Sequence, residues 1–277
     1  MKSMMKRNTF REIKKSFGRY FAILAIVALG VAFFSGLKIT QSVMVHSADV
    51  YLKDLQFYDY RLVSTLGFTE VNVEALAEKE DVRAAEGAIS AEILYKDAGE
   101  NERVIKMHSI TEKVNKLKLV AGEMPQSADE CVVDSALFSE DAIGSKLVLS
   151  ENNTADDLDK FAYKEYTITG LVQSPCYIQF ERGNTSIGNG RISGFAYILK
   201  DGFAVDYDTE IYIKFDEDYD IYSDEYDSYM DAKEADWEAY TKEQADIRYE
   251  KIVKDAQDEL DEKKEELEEK RAEAEVE

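Results

Sequence analysis

The chain has 277 residues, with 34 Lys and Arg against 57 Asp and Glu and a formal net charge of −23. That much acid repels a phosphate backbone and argues against a nucleic-acid partner, while two His and two Cys outside any cluster leave a zinc site without ligands. The length suffices for one sizeable domain with accessories.

The charge is unevenly placed. Residues 1–38 hold eight basic residues (Lys2, Lys6, Arg7, Arg11, Lys14, Lys15, Arg19, Lys38) and one acid, Glu12; the remainder holds 26 basic and 56 acidic residues. A basic head on an acidic body marks a membrane boundary, because Lys and Arg stay on the cytoplasmic side. Residues 8–18 read as an amphipathic helix capped by Asn8 or Thr9, with Phe10, Ile13 and Phe17 on one face and Arg11, Lys14 and Lys15 elsewhere. Such a helix lies in the inner headgroup layer, apolar face down; the plain alternative is the basic flank of a membrane helix. Tyr20 to Leu37 are 18 residues without a charge, roughly 27 Å of helix against a hydrocarbon core of ~30 Å. The apolar run resumes from Ile39 to Val45, so Lys38 can snorkel outward. A cleaved signal peptide would have a shorter apolar core and a small-x-small site, for which Ala32 to Gly36 is a poor match. The expected organisation is a cytoplasmic basic helix over 1–19, a transmembrane helix over 20–41, an extracytoplasmic domain over 42–227 and a charged helical arm over 228–277.

Residues 42–60 extend the membrane helix or form a second one. Strands follow at 59–65, 82–95 and 103–109, and Leu117-Lys118-Leu119-Val120 leads into a turn at Ala121–Pro125. Further strands fall at 130–134, 144–149, 163–172 and 207–215, with helices at 69–80 and 135–138. That mixture predicts an α+β domain. Cys131 and Cys176 lie in it. A disulfide is permitted outside the cytoplasm, although free, buried or half-buried thiols are the safer expectation. Asp216 to Asp231 form an acidic, Tyr-rich connector, and from Ala232 onward there is no Gly or Pro, a strongly helical composition. Val253, Leu260, Leu267 and Ala274 repeat every seven residues, and a second series, Tyr249, Ala256, Lys263 and Lys270, holds for half its length. Such a helix wants an antiparallel partner. The chain stops at Glu277 without a cap, so it is expected to be the front part of a longer protein.

Candidate chemistry is sparse. Arg182 to Gly194 hold four glycines but no Gly-Lys-Ser/Thr, which reads as a turn between strands and places ATP hydrolysis in a partner. Asp216 to Asp227 put oxygen ligands at positions 1, 3, 5, 9 and 12 of a calcium loop, yet Ile221 stands where Gly is needed and Asp227 where Glu is usual; a solvated connector is the better reading. His46 and His108 neighbour no nucleophile motif and read as structural. Trp237 and Tyr240 read as packing against the domain. No catalytic, cofactor or metal residue is expected.

Thr9-Phe10-Arg11-Glu12-Ile13-Lys14-Lys15-Ser16-Phe17-Gly18-Arg19-Tyr20, leading into Ala22 to Gly30, resembles the opening of FtsX-like (MacB-type) ABC transporter permeases. Leu119-Val120-Ala121-Gly122-Glu123-Met124-Pro125 with Glu130-Cys131-Val132-Val133-Asp134 is similar to that family's next stretch, Glu123 standing where Arg is frequent. Ile143-Gly144-Ser145-Lys146-Leu147 and Thr167-Ile168-Thr169-Gly170-Leu171-Val172 resemble two later motifs. Ser174-Pro175-Cys176-Tyr177-Ile178 and Arg182 to Gly190, with Gly188 and Gly190, look like the large Gram-positive members, which carry an extracellular helical hairpin; residues 232–277 resemble its first arm.

The resemblance implies a MacB-like mixed α+β extracytoplasmic domain, one N-terminal transmembrane helix and a coiled-coil arm. Phe10, Arg11, Ile13, Lys14, Lys15, Phe17 and Arg19 would form the inner-interface helix; Gly122, Pro125, Glu130, Gly144, Gly170, Pro175, Gly188 and Gly190 would be structural. It implies a non-enzymatic permease half in the cell membrane, driven by a cytoplasmic ABC ATPase, in contact with membrane lipid, and serving export or extraction of lipid, lipoprotein or peptide or regulation of the cell envelope. A homodimer or second permease half, and a cell-wall or peptide partner outside, follow as further expectations. The alternative is a single-pass, membrane-anchored extracellular scaffold.

Overall fold

Helix α1 covers Lys2–Lys15 and helix α2 Phe17–Asp54. The structure, a computed structural model, describes residues 2–97, 99–217 and 219–276, and it divides into two units, Met1–Tyr51 and Leu52–Glu277. The amphipathic helix expected from residue 8 is already helical at Lys2. Thr9, expected as a cap, is interior, and its hydroxyl donates to the Met5 carbonyl at 2.9 Å. The helical run is interrupted at Ser16 alone, whose carbonyl accepts from the amides of Arg19 and Tyr20; Ser and Gly, here Ser16 and Gly18, are common kink sites. Among the described residues α2 is the one helix long and apolar enough to cross a membrane. Its 38 residues span about 57 Å, nearly twice the hydrocarbon thickness.

In the second unit the chain runs through β1 (Tyr60–Phe68), α3 (Glu70–Ala77), β2 (Val82–Ala88), β3 (Ser90–Lys96), β4 (Glu102–Ser109), β5 (Lys118–Gly122), β6 (Glu130–Asp134), β7 (Lys146–Leu149), α4 (Ala155–Leu158), β8 (Glu165–Gln173), β9 (Ile192–Ile198), β10 (Asp208–Phe215) and α5 (Asp224–Val276). The architecture is α+β. The single strand expected over 82–95 is two strands that part at Ile89 and enter different sheets. The helix expected at 135–138 is a turn, followed by a short 3₁₀ segment at Glu140–Ala142.

The small sheet has the order β1-β10-β2, all antiparallel. One face packs Leu62, Ile211, Ile213, Val82 and Phe215 under α3 and the base of α5, where Trp237 is almost fully buried. The large sheet has the order β5-β8-β6-β9-β4-β3-β7, and β7 also pairs with β8. It therefore closes into a six-stranded barrel, with β7 taking the first half of one edge of β8 and β5 the second half. Alternate residues point inward, as a strand's period of two requires: Ile93 and Tyr95, Ile105 and Met107, Cys131 and Val133, Leu147 and Leu149, Tyr166 and Ile168, Ala196 and Ile198. The Ile, Leu, Val and Met side chains among them each contribute about 1.5–3 kcal/mol by leaving water. The outward residues Val132, Val172, Phe195 and Tyr197 are covered in turn by Ile110, Leu117, Met124 and Tyr177.

Helix α5 begins at Asp224, inside the connector and ahead of the expected start of the arm. Ser223 accepts the Tyr226 amide on its Oγ at 3.1 Å, and Asp224, Glu225 and Asp227 populate the first turn, where the helix dipole favours acid. Val253, Leu260 and Leu267 stand about half exposed along it; the side chains of Lys270 and Ala274 lie outside the described residues.

Candidate functional site

The residues that follow α2 are fastened to the domain on three sides. The amides of Asn115 and Lys116 donate to the carbonyls of Gln56 (2.9 Å) and Leu55 (2.8 Å), and the Asn115 side chain accepts from the Tyr58 amide at 3.1 Å. Asp59 donates its amide to Ile213 of β10, while its carboxylate accepts from Lys214 Nζ at 3.0 Å, the Phe215 amide at 2.9 Å and the Tyr226 hydroxyl at 3.3 Å. Lys53 Nζ pairs with Asp220 at 2.7 Å, just ahead of α5. Lys214 and Asp59 are both buried, so each charge depends on the other. Residues 53–59 thus join one end of α2 to the barrel cover, to β10 and to the first turn of α5.

Beside this junction the polar face of β10 is buried too. Glu210 accepts both Arg61 nitrogens (2.9 and 2.7 Å), the Ser90 hydroxyl (2.5 Å) and the Tyr212 hydroxyl (2.5 Å), with Lys106 at 4.0 Å. Burial alone would raise its pKa, but the hydrogen bonds from Arg61, Ser90 and Tyr212 overcome that and hold it at about 2. Tyr58 and Tyr212 pack ring to ring at 5.2 Å. His108 is pushed down to about 3 by burial, with Lys106 adding to the effect, and one ring nitrogen is 2.6 Å from the Tyr177 hydroxyl. Arg182 makes a two-pronged pair with Asp134 (2.7 and 3.0 Å) and donates to the carbonyls of Tyr177 and Gln179. It pins the loop before β9, on which Ile178 and Phe180 remain exposed. Alternation marks β10 as a strand with Asp208, Glu210, Tyr212 and Lys214 on one polar face; nothing local signals that this face is buried.

The motif positions are brought together in part. Gly122 and Gly170 face each other across the β5–β8 pair. A Cβ on Gly122, at φ +77°, would lie 2.2 Å from the Thr169 carbonyl oxygen, and one on Gly170 2.7 Å from that of Glu123; the two backbones approach too closely for any side chain. Glu130 accepts the amides of Gln126 (2.7 Å) and Ser127 (3.2 Å), closing the turn that Pro125 opens. Gly144 donates to Ile168 at 2.7 Å on the turn into β7. Pro175, Gly188 and Gly190 lie apart from these, in the loop between β8 and β9. That loop is the glycine-rich segment, clasped by the Asn184–Arg191 bridge. Phe10, Arg11, Ile13, Lys14 and Lys15 sit on α1, and Phe17 and Arg19 open α2, all exposed.

Among the described residues no group of three or more His, Cys, Asp or Glu is arranged to hold a metal. Of the acidic segment 216–227, Asp218 lies outside the described residues; Asp220 pairs with Lys53 and Asp216 approaches Arg83 at 3.8 Å. Cys131 and Cys176 are both free, Cys131 inside the barrel, and burial pushes the Cys176 thiol up to about 11, away from the reactive thiolate form. His46 is exposed on α2.

No protein-family profile matches the chain, and no curated protein matches it. Among solved structures it is similar to the extracellular domain of the ABC-type transporter YknZ from Gram-positive bacteria, at 12% identity and a TM-score of 0.37 over 56% of this chain and 76% of that one. It is also similar to the periplasmic region of MacB from Actinobacillus actinomycetemcomitans, at 14% identity and a TM-score of 0.36 over 58% of this chain and 69% of that one. Scores of this size describe a partial overlap of shape.

Proposed function

We propose that the chain carries the opening part of an FtsX/MacB-like ABC transporter permease subunit and works as a mechanical coupler. In this reading residues 1–19 lie on the cytoplasmic face and meet a separate ATPase, 20–41 span the membrane, 42–227 form the extracytoplasmic domain, and 228–277 are one arm of a coiled coil. The order of the sequence motifs supports the family. The observation that carries coupling is the fastening of residues 53–59. In this reading a displacement of the end of the helix reaches the barrel cover, β10 and α5 through hydrogen bonds of 2.8–3.3 Å and a buried ion pair. ATP is hydrolysed by the partner; the cargo is a lipid, lipoprotein or peptide, or the output is control of an envelope enzyme.

The test is co-purification of the full chain with an ABC ATPase from native membranes, before and after changing Arg11, Lys14 and Lys15 to Glu. The expected result is a stable complex whose yield falls at least tenfold in the reversed variant. If no ATPase accompanies the unaltered chain, the permease reading is wrong and a single-pass extracellular scaffold takes its place.

A further inference from the structure

A cleft of about 250 Å³ opens where α5 leaves the domain, between β1, α3 and the helix. Apolar groups of Leu62, Leu76, Tyr240 and Ala245 line it, and Arg248 stands on its wall. The fifteen residues around it include two arginines and no Asp or Glu, in a chain where acids outnumber bases 57 to 34. One of those arginines, Arg61, is neutralised by Glu210. The other is not: Arg248 Nε is buried and has no hydrogen-bond partner among the described residues. The helix sequence supplies it with none. Every other Lys or Arg of α5 has an Asp or Glu three or four positions away, whereas Arg248 has Gln244, Ala245, Lys251 and Ile252.

A cation on the wall of a largely apolar cleft free of carboxylates selects an anion with an apolar body. The volume sets its size. At about 30 Å³ per water-sized group the cleft takes roughly eight heavy atoms, the carbons of a medium-chain acid whose two carboxylate oxygens stand at the open side, below the range of drug-sized ligands and far below a two-chain lipid. The outer edge of β1 does not favour a pairing strand, because its register breaks between Val63 and Phe68 and such a bulge blunts an edge.

We propose that this cleft binds a small monocarboxylate with an unbranched or lightly branched hydrocarbon body, its carboxylate on Arg248 and its chain against Leu62, Leu76 and Tyr240. The site is independent of the permease reading, since it lies within residues 60–248 and needs no ATPase. Trp237, the chain's single tryptophan, reports on it directly: its ring centroid is 5.9 Å from Tyr60 and 6.2 Å from Tyr240, both of which line the cleft.

The experiment titrates the full chain, in nanodiscs of zwitterionic lipid, with octanoate while Trp237 fluorescence is followed; octan-1-ol and octylammonium serve as head-group controls. The expected result is a saturable change with octanoate, at least tenfold weaker with the alcohol and the amine. Binding should weaken at least tenfold in Arg248→Gln and be lost in Ala245→Leu, which fills the cleft from the exposed helix without touching the sheet. Circular dichroism of both variants confirms the fold. The proposal is overturned if octanoate gives no saturable change, if the alcohol matches it, or if Arg248→Gln binds like the unaltered chain. It is equally overturned if a short peptide ending in Leu binds at least tenfold more tightly than octanoate, which would make the site a peptide-terminus pocket.

Discussion

His108 and Glu210 carry opposite charge states in the same polar junction: one is kept neutral by burial, the other kept ionised by Arg61, Ser90 and Tyr212. Both pKa values are depressed in the folded chain, so both contribute stability that is present at neutral pH and lost in acid, but in different windows. For His108 the loss begins as pH falls below 6.5 and continues toward 3; for Glu210 it begins below 4.5 and continues toward 2. Between pH 7 and 5 the histidine acts nearly alone of the two. Its contribution over that interval is about 2 kcal/mol, at ~1.4 kcal/mol per pH unit below 6.5. The urea midpoint of the full chain, read by near-ultraviolet circular dichroism in detergent, is expected to fall from pH 7 to pH 5, and His108→Gln to lose most of that fall. An unchanged pH slope in the variant would show that His108 titrates freely. Glu210→Gln is expected to cost about 2–3 kcal/mol at pH 7, because it leaves Arg61 without its counter-charge and weakens two further hydrogen bonds.

At the scale of elements, the β5–β8 pair brings two backbones close together at Gly122 and Gly170. A methyl on Gly170 would meet the carbonyl oxygens of Glu123 and Ala121 at 2.7 and 2.8 Å, and neither strand can yield without breaking the β5–β8 ladder. Gly170→Ala is expected to destabilise the domain by about 1–3 kcal/mol; Gly36→Ala, with open space around it in α2, should leave the same midpoint unchanged. Equal midpoints for the two variants would mean that β5 is dispensable. The pairing also shows what was legible. Both glycines stood out in sequence motifs, and β6, β8, β10 and the helical tract of α5 follow from alternation and composition. Their juxtaposition did not, because register between strands 48 residues apart is set by the whole barrel. The division of residues 82–96 was illegible for a related reason: β2 and β3 are separated by Ile89 alone, and which sheet each joins is set by partners far away in the chain. Strand β9 was missed because its Ile-Ser-Gly-Phe-Ala-Tyr-Ile is buried on both faces and so lacks alternation. The junction at residues 53–59, the cleft at Arg248 and the Glu210 network were likewise invisible, each being made by segments far apart in the chain. In one respect the cleft had a trace in sequence: Arg248 is the one cation of α5 with no acid a turn away.

For the whole molecule the governing quantity is the asymmetry of charge about one apolar helix. Seven of the eight basic residues in the first 38 precede Tyr20, while 56 of 57 acids lie elsewhere in the chain than that segment. In the proposed reading, retention of Lys and Arg on the cytoplasmic side orients α2 with its N-terminus inside. The helix is longer than the bilayer core by roughly 27 Å, and in that reading the excess projects into water beyond Val45, where His46 and Ser47 are exposed. This orientation is testable with single cysteines at Thr9 and Ser47, placed in a chain carrying Cys131→Ala and Cys176→Ser. A membrane-impermeant maleimide applied to intact cells is expected to label the cysteine at position 47, and to reach the one at position 9 only after the membrane is opened. Labelling at position 9 alone in intact cells would invert the orientation and put the domain in the cytoplasm; labelling of both would mean that α2 does not span. Either result would remove the physical basis for coupling, because residues 53–59 can pass a cytoplasmic ATPase's work outward only if the helix between them crosses the membrane.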